Sequence, residues 1–262
     1  MTTGQSPRDV AAANPFARLQ LPPLLAGRRA VVTGAARGIG KAIADAFVEA
    51  GATVVRLDVR ASGDVQGCDV TDEASVARAF ESAGASGSID DVIHVAAIAA
   101  ISALSEMSAA EFRRVLDVNL TGAFLVSREA ARKLRRGGNL VLFASQYGLK
   151  GWPLWGAYCA SKAGVLRLAD SLVGELAPKG IRVNTISPGT VDTEMVAATT
   201  AEIARQSGTD PDTIRASYEA AIPMGRYARP EELAYVAVAL CSGLCSYVSG
   251  SNIVVDGGEL SR

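Results

Sequence analysis

Short apolar runs alternate with segments of helical periodicity along most of this chain. The runs are rich in β-branched residues and end at glycine, acidic or small residues, a pattern typical of strands. It predicts strands at 29–34, 53–58, 91–98, 139–144, 181–186 and 252–255, with a weaker one just before Cys68. Apolar residues recur every three or four positions between these runs, which predicts helices at 39–50, 73–83, 108–136, 156–177 and 230–241.

The alternation of strands and helices decides the fold class. Strands that are apolar along their whole length are typical of a parallel sheet covered by helices on both faces. No linker rich in proline or glycine divides the chain. We therefore expect an α/β fold in which residues 28–262 form a single doubly wound domain around a parallel seven-stranded sheet. Residues 1–27 are rich in Ala and Pro and lack periodicity, which predicts a flexible N-terminal extension.

Charge and histidine content exclude several functions. The 26 basic and 27 acidic residues give a net charge of −1, so neither nucleic acid nor an anionic membrane is an expected partner. The single histidine, His94, excludes metal sites built from two or three imidazoles and leaves a Ser-His-Asp triad one candidate base. An enzyme of this composition is expected to use other acids and bases, and no metal.

The four cysteines predict neither a disulfide framework nor a metal centre. They contain no C-x-x-C pair. Cys241 and Cys245 are four residues apart and would share a helix face, but without further ligands we interpret them as buried thiols. The chain has no long apolar run and no basic N-terminal segment followed by an apolar one, so we expect a cytoplasmic protein without a membrane anchor.

A glycine-rich loop lies between the first predicted strand and the first predicted helix. It reads Thr33-Gly-Ala-Ala-Arg-Gly-Ile-Gly40, and Asp58 ends the next strand 18 residues after Gly40. Gly34 would permit a tight turn, Gly38 would let a pyrophosphate approach the backbone, and Gly40 would allow close packing of helix on strand. The helix N-terminus would face the phosphates. This order of elements predicts a dinucleotide site rather than an ordinary βα turn.

Asp58 bears on the choice between the two nicotinamide dinucleotides. Its carboxylate would accept hydrogen bonds from the adenosine ribose and repel a 2′-phosphate, so NAD(H) is expected ahead of NADP(H). Arg37 and Arg60 favour the opposite choice, NADP(H), because either arginine would neutralise a 2′-phosphate. Asp69 follows the third strand and would either contact adenine or act as an acid at a helix N-terminus, and the sequence favours neither.

Tyr158 and Lys162 are four residues apart near the start of a predicted helix, which places phenol and ammonium on one face. An unperturbed tyrosine has a pKa of about 10, and a nearby lysine cation favours the phenolate. We therefore expect a tyrosine of lowered pKa that exchanges a proton with an alcohol or ketone while hydride moves to or from a nicotinamide. Ser145 follows the fifth strand, where its hydroxyl would hold the same substrate oxygen.

These motifs together resemble those of the short-chain dehydrogenase/reductase family, in its compact form with a single Rossmann domain. The resemblance covers about residues 28–258. Besides the glycine loop, Ser145 and the Tyr-Lys pair, it rests on Asn119, Ile186-Ser-Pro-Gly-x-Val-x-Thr193, Pro223-Met-Gly-Arg226, Pro230-Glu-Glu232 and Val255-Asp-Gly-Gly258.

The resemblance implies roles for these residues. Tyr158 would be the catalytic acid and base, Lys162 would lower its pKa and bind the nicotinamide ribose, and Ser145 would orient the substrate oxygen. Asn119 would hold a water that passes protons to Lys162. The other residues expected at the dinucleotide are Gly34, Arg37, Gly38, Ile39, Gly40, Asp58, Asp69, Val70, Ala96, Pro188, Gly189, Val191 and Thr193. Residues 192–223 would form the substrate lid, and members of this type usually assemble as homotetramers.

One segment departs from the family pattern. His94-Val-Ala-Ala97 stands where the family usually has Asn-Asn-Ala-Gly. We expect His94 to be a buried or half-buried hydrogen-bonding side chain near the cofactor rather than a catalytic group. Because all four expected catalytic residues are present, we also expect activity to be retained, with the contacts of the missing Asn and Gly made differently.

The expected function is NAD(H)-dependent interconversion of a secondary alcohol and a ketone, on a polyol, sugar or hydroxy acid. That substrate class depends on Gln146 and Glu194, which are able to hydrogen-bond hydroxyl groups. The other residues expected to contact the substrate are Ser145, Tyr158 and Met195. Trp152 and Trp155 are interpreted as packing residues. Two alternatives stay open: an NADP(H)-dependent reductase of 3-oxoacyl thioesters, and a protein that senses dinucleotide without turnover.

Overall fold

The central element of the fold is one parallel sheet of seven strands. The structure is a computed structural model that describes residues 23–85 and 87–261. The strands are β1 Arg29–Thr33, β2 Thr53–Asp58, β3 Val65–Gly67, β4 Ile89–His94, β5 Leu134–Phe143, β6 Arg182–Pro188 and β7 Asn252–Val255. Their order is β3-β2-β1-β4-β5-β6-β7, and every neighbouring pair is parallel. The order reverses between β1 and β4, so a crevice for ligands is expected at the carboxyl ends of these two strands.

Eight α-helices flank the sheet within the described residues. They are α1 Gly38–Glu49, α2 Glu73–Ala85, α3 Ala109–Leu116, α4 Gly122–Lys133, α5 Gly156–Leu176, α6 Glu194–Ser207, α7 Pro211–Ala221 and α8 Pro230–Cys241. Alternate strand residues face two separate cores, so that Val31 packs with α2, α4 and α5 while Val32 packs with α1 and α8. Burial on both faces explains why the strands are apolar throughout. The predicted doubly wound α/β fold is confirmed.

The fifth strand is longer than predicted, and the helix before it is shorter. Helix α4 ends at Lys133, and β5 begins at Leu134 rather than at 139. Gly137 and Gly138 therefore do not terminate a helix. They lie in the strand where its pairing with β4 shifts register, and a Cβ on Gly138 would stand 2.8 Å from the carbonyl oxygen of Asp90. The two glycines accommodate this irregularity.

The single long helix predicted at 108–136 is interrupted. Ser108 caps its start as expected, because its hydroxyl accepts a hydrogen bond from the Glu111 amide. Residues Asp117–Thr121 then form a π-helical turn, in which the Gly122 amide bonds the Asp117 carbonyl. This turn widens the helix at Asn119, and π-bulges of this kind are frequent at functional sites.

Several boundaries differ from the predicted ones. Strand β4 ends at His94 instead of 98, since the next amide, of Val95, turns to the Thr33 hydroxyl. Helix α8 ends at Cys241, so Cys241 and Cys245 do not share a helix face. Of the predicted extension, residues 1–22 lie outside the described residues, whereas Leu25 is fully buried against the α1 and α8 core and therefore belongs to the folded domain.

The predicted lid is a pair of helices between β6 and α8. Thr193 caps α6 and Asp210 caps α7, each accepting a hydrogen bond from a backbone amide of the first turn. The four cysteines are free thiols. Across residues 23–85 and 87–261, no group of His, Cys, Asp and Glu is arranged to hold a metal ion, and no helix is both long and apolar enough to cross a bilayer.

Candidate active site

A cavity of about 1060 Å³ lies at the carboxyl ends of the strands and collects most of the predicted site residues. Residues that follow each of the strands β1 to β6 line it, together with α3, the π-helical turn after α3 and the first turn of α6. The predicted residues in the lining are Gly34, Arg37, Gly38, Ile39, Gly40, Asp58, Asp69, Val70, Ala96, Ser145, Tyr158, Lys162, Pro188, Gly189, Val191, Thr193, Glu194 and Met195. Asn119 and Gln146 lie outside the lining.

The glycine loop is packed too closely for side chains. A Cβ on Gly34 would lie 2.9 Å from the Ala96 nitrogen, and one on Gly40 only 2.0 Å from the Gly34 carbonyl oxygen. Gly34 and Gly38 also have positive φ, of 69° and 55°. The loop delivers the N-terminus of α1 to the cavity, and Arg37 at its N-cap makes no side-chain capping bond. The backbone amides of this turn are thus available to an anion, which is the arrangement that binds a pyrophosphate.

The Asp58 carboxylate is held by backbone amides at the end of β2. One oxygen accepts from Ala36 at 3.1 Å and the other from Arg60 at 3.0 Å. These bonds connect the glycine loop to the acid that would receive a ribose. Asp69 faces the same cavity and accepts hydrogen bonds from the amide and the hydroxyl of Thr71.

Ser145, Tyr158 and Lys162 converge at the other end of the cavity. Ser145 follows β5, and α5 carries the tyrosine and the lysine. The Ser145 and Tyr158 side chains are hydrogen-bonded to each other. The Lys162 ammonium donates to the Phe143 carbonyl at 2.7 Å, and it lies 5.7 Å from the centre of the Tyr158 ring.

The pKa of Tyr158 is shifted in the direction opposite to the predicted one. Burial raises the pKa of the phenol to about 12, with the Ser145 hydrogen bond opposing that rise. Burial lowers the pKa of the Lys162 ammonium to about 7. The prediction was wrong because the lysine hydrogen-bonds a strand carbonyl instead of the phenol, so desolvation dominates both groups. The tyrosine is therefore neutral at pH 7, and the lysine loses its proton far more easily than an exposed lysine does.

Asn119 connects the loop after β4 to helix α5 by hydrogen bonds. Its Oδ1 accepts from the Ile98 amide at 2.8 Å, while Nδ2 donates to the Ile98 carbonyl at 2.9 Å and to the Ser161 hydroxyl at 3.0 Å. Ser161 immediately precedes Lys162. The side chain is committed to these contacts, so the predicted water would have to be held by some other group of this turn.

His94 is a buried hydrogen-bonding residue, as expected. It is 2 % exposed, and its Nδ1 lies 2.8 Å from the Thr33 hydroxyl. That hydroxyl also accepts the amide of Val95, at 3.1 Å. Burial, assisted by the nearby Lys162 ammonium, lowers the pKa of His94 to about 3. The imidazole is therefore neutral at pH 7 and ties the end of β4 to the end of β1.

An aromatic cluster stands beside Tyr158. Tyr147 stacks on Trp152 with ring centres 5.4 Å apart and meets Trp155 edge-on at 4.8 Å, and Trp155 meets Tyr158 at 5.5 Å. The packing role expected for the two tryptophans is confirmed. Tyr218 of α7 joins the cluster through side-chain hydrogen bonds with Tyr147 and Trp155, so this cluster holds the lid against the site. Sequence reasoning identified the two tryptophans as packing residues but did not find the network.

Two of the expected substrate contacts have protein partners, and one of them, Gln146, lies outside the cavity lining. Gln146 is buried and donates to Glu259 of the C-terminal segment at 2.9 Å. Burial raises the pKa of that Glu259 carboxyl. Glu194 reaches the cavity but forms an ion pair with Arg37 of the glycine loop. The Gln146 amide nitrogen and one Glu194 carboxylate oxygen therefore engage protein partners. Met195 remains in the lining.

A protein-family profile described as Enoyl-(Acyl carrier protein) reductase matches residues 34–259 of the chain. A short-chain type dehydrogenase/reductase from Mycobacterium marinum has a crystal structure that superposes with a TM-score of 0.81 at 35% identity, covering 91% of this chain and 97% of the other.

Two relatives with named activities are similar along nearly their full length. The sorbitol dehydrogenase of Cereibacter sphaeroides is 35% identical over 251 residues, which are 90% of this chain and 98% of the relative. The 3-oxoacyl-(acyl-carrier-protein) reductase FabG of Aquifex aeolicus is 34% identical over 255 residues, 89% of this chain and 98% of the relative. Carbonyl–alcohol interconversion is common to both names.

Proposed function

The chain belongs to the short-chain dehydrogenase/reductase family of oxidoreductases, and from that premise we propose that it interconverts a secondary alcohol and a ketone with NAD(H). The observation that carries the proposal is the hydrogen-bonded Ser145 and Tyr158 pair, which faces the same cavity as the glycine loop and the buried Lys162. An anion cradle and a proton-transfer group at opposite ends of one cavity suit hydride transfer coupled to proton transfer.

The cavity fits a nicotinamide dinucleotide. The glycine contacts leave room only for backbone, the amides at the start of α1 suit a pyrophosphate, and Asp58 suits a ribose diol. Pro188, Gly189 and Thr193 would line the nicotinamide end. A bound dinucleotide supplies the hydride acceptor or donor. The Asp58 carboxylate supports NAD(H) as the preferred cofactor, since it disfavours a 2′-phosphate.

Tyr158 is proposed as the general acid and base. Its phenol is neutral at pH 7, so it holds the proton that a developing alkoxide requires. Ser145 shares a hydrogen bond with this phenol and would hold the same substrate oxygen. Lys162, with its pKa near 7, exchanges protons readily at neutral pH. Asn119 positions Lys162 through Ser161.

The proposed substrate is a polyol, sugar or hydroxy acid. Support comes from the sorbitol dehydrogenase relative, since Gln146 and Glu194 no longer supply it. The test is a panel of these alcohols with NAD+ and with NADP+, followed by absorbance at 340 nm. Turnover of at least one member with NAD+, at a higher kcat/KM than with NADP+, is expected.

A second candidate is supported by the FabG relative: reduction of a 3-oxoacyl thioester with NADPH. Asp58 opposes it. Faster turnover of acetoacetyl thioesters with NADPH than of any panel alcohol with NAD+ would replace the first proposal by this one. A dinucleotide sensor without turnover is disfavoured because Ser145, Tyr158 and Lys162 are all present and adjoin one another.

We also propose that the protein is a cytoplasmic homotetramer. Its free thiols suit a reducing compartment. Strand β7 is an edge of the sheet, and Val254 and the neighbouring Tyr247 are exposed there, which suits burial between subunits. Light scattering after size-exclusion chromatography tests the assembly, and a mass of four chains is expected.

A further inference from the structure

Arg37 and Glu194 face each other across the mouth of the dinucleotide cavity. Arg37 is the last residue of the glycine loop before α1, and Glu194 is the first residue of the lid helix α6. Their side chains form an ion pair. The two segments are also near van der Waals contact, since a Cβ on Gly38 would lie 3.5 Å from the Thr193 methyl group. The lid therefore meets the phosphate loop at this pair.

Arg37 stands between two carboxylates. The amide of its neighbour Ala36 bonds Asp58 at 3.1 Å, so the Arg37 backbone lies within one residue of the acid that would hold the adenosine ribose. Its guanidinium is nevertheless engaged on the other side, by Glu194. A 2′-phosphate next to Asp58 would need a cation, and an arginine suits a phosphate well because its fork donates two parallel hydrogen bonds. Arg60 lines the cavity beside Asp58 as one such cation, and Arg37 would have to leave Glu194 to act as a second one.

We propose that Glu194 is a cofactor-selectivity residue that acts through Arg37. By holding the guanidinium on the lid side of the cavity, Glu194 keeps Arg37 from neutralising a 2′-phosphate and so adds to the discrimination against NADP(H). Asp58 repels the 2′-phosphate directly, whereas Glu194 binds the Arg37 guanidinium that would otherwise pair with that phosphate. The inference rests on the proposed preference for NAD(H), and it assigns to Glu194 a role at the cofactor instead of the substrate contact expected from the sequence.

The exposure of the pair sets the size of the effect. The Arg37 and Glu194 side chains are 47% and 67% exposed, so solvent screens their attraction. Releasing Arg37 is therefore expected to improve NADP+ binding by about three- to fivefold relative to NAD+. Because NAD+ lacks only the 2′-phosphate, the ratio of the two dissociation constants isolates that group.

The test is calorimetric titration of NAD+ and NADP+ into the wild type, Glu194→Gln, Arg37→Gln and the double variant. In Glu194→Gln, the affinity for NADP+ relative to NAD+ is expected to rise about three- to fivefold. The same substitution should leave this relative affinity unchanged when Arg37 is already replaced by Gln. Glu202→Gln, which removes a carboxylate paired with Arg205 further along α6, is the matched control and should leave the ratio unchanged.

Two results would overturn the inference: an unchanged ratio in Glu194→Gln, or an equal shift with and without Arg37, which would mean that the loss of a negative charge alone is responsible. Failure of the proposed NAD(H) preference is read separately, from tighter binding of NADP+ than of NAD+ by the wild type. The dependence of the Glu194→Gln shift on Arg37 can be measured in either case.

Discussion

The two ends of the cavity are built in different ways. The dinucleotide end is mostly backbone: Gly34 and Gly40 fit because they lack side chains, and even Asp58 is held by two amides. The other end, called the substrate end, is lined by the side chains of Ser145 and Tyr158, and it is backed from outside the lining by contacts between distant segments, with Tyr147 after β5 hydrogen-bonded to Tyr218 of the lid. The first end depends on one strand-loop-helix unit, whereas the second depends on how the lid docks.

This difference decides what each end tolerates. At the dinucleotide end, an added side-chain atom clashes with neighbouring backbone that has no room to move, so dinucleotide binding is expected to be lost or weakened. A side-chain wall can adjust its rotamers, so a lost contact there is expected to weaken substrate binding and leave the dinucleotide unaffected. Ser145, Tyr158 and Lys162 lie where the two ends meet, and changes to them are expected to affect chemistry rather than either binding step.

The largest effect is expected from adding one methyl group to the dinucleotide end. Gly40→Ala places a Cβ 2.0 Å from the Gly34 carbonyl oxygen, so the loop must shift. We expect the free energy of unfolding to fall by about 3 kcal/mol and NAD+ affinity to fall at least about tenfold. Urea denaturation and calorimetry measure the two quantities.

Gly84→Ala in α2 is the matched control. A Cβ there meets no atom of the described residues within 4 Å, and alanine is the better helix former by about 1 kcal/mol. The control should therefore be neutral or more stable than the wild type. A Gly40→Ala variant that binds NAD+ as tightly as the control would refute the close-packed cradle.

A smaller effect is expected from Lys162, where the two ends meet. Its pKa is about 7 in the folded chain and about 10.5 when unfolded, so between these values the unfolded chain binds more protons and stability rises with pH. The slope from this residue is at most about 1.4 kcal/mol per pH unit. Lys162→Met should lose that rise and be more stable than the wild type near pH 7.

Chemical denaturation at several pH values from 6.5 to 10 measures the slope. Lys179→Met, which replaces an exposed lysine, should retain the wild-type dependence. If Lys162→Met and Lys179→Met give the same pH dependence, burial does not depress the pKa of Lys162 and the assigned proton-exchange role loses its support.

The smallest effect is expected at the substrate end. Tyr218→Phe removes the hydrogen-bonding group that serves Tyr147 and the Trp155 indole, leaving buried polar groups without that partner. We expect KM for the alcohol to rise about three- to tenfold while the NAD+ dissociation constant stays within twofold. Tyr247→Phe, which changes a tyrosine outside the cavity lining, should change neither. An equal loss of NAD+ affinity in Tyr218→Phe would show that the ends are not separable.

The sequence predicted best what local pattern determines. Strand β2, helix α8 and strand β7 begin and end at the predicted residues, and the glycine loop and Asp58 were found because their spacing belongs to one local unit. Gly137 and Gly138 were misjudged, since glycine serves a helix end and a strand irregularity equally well. The direction of the Tyr158 shift was missed because burial, unlike spacing, depends on the whole fold.

The contact of Glu194 in the site is another feature that local sequence pattern does not predict. From the sequence it was a hydrogen-bonding residue in the lid, and only the docking of α6 brings it to Arg37, 157 positions earlier. The aromatic cluster was likewise visible as separate residues, while its link to Tyr218 depends on the placement of α7. Contacts between a lid and a sheet are determined by tertiary packing, and their residues carry no local signature.

The most direct measurement compares the wild type with Tyr158→Phe in a single turnover at saturating NAD+, using the best alcohol of the panel and absorbance at 340 nm. Loss of the phenolic proton-transfer group is expected to slow NADH formation at least about a hundredfold, with the NAD+ dissociation constant within twofold of the wild type by calorimetry. NADH formation at an undiminished rate by a variant that still binds NAD+ would contradict the role proposed for Tyr158.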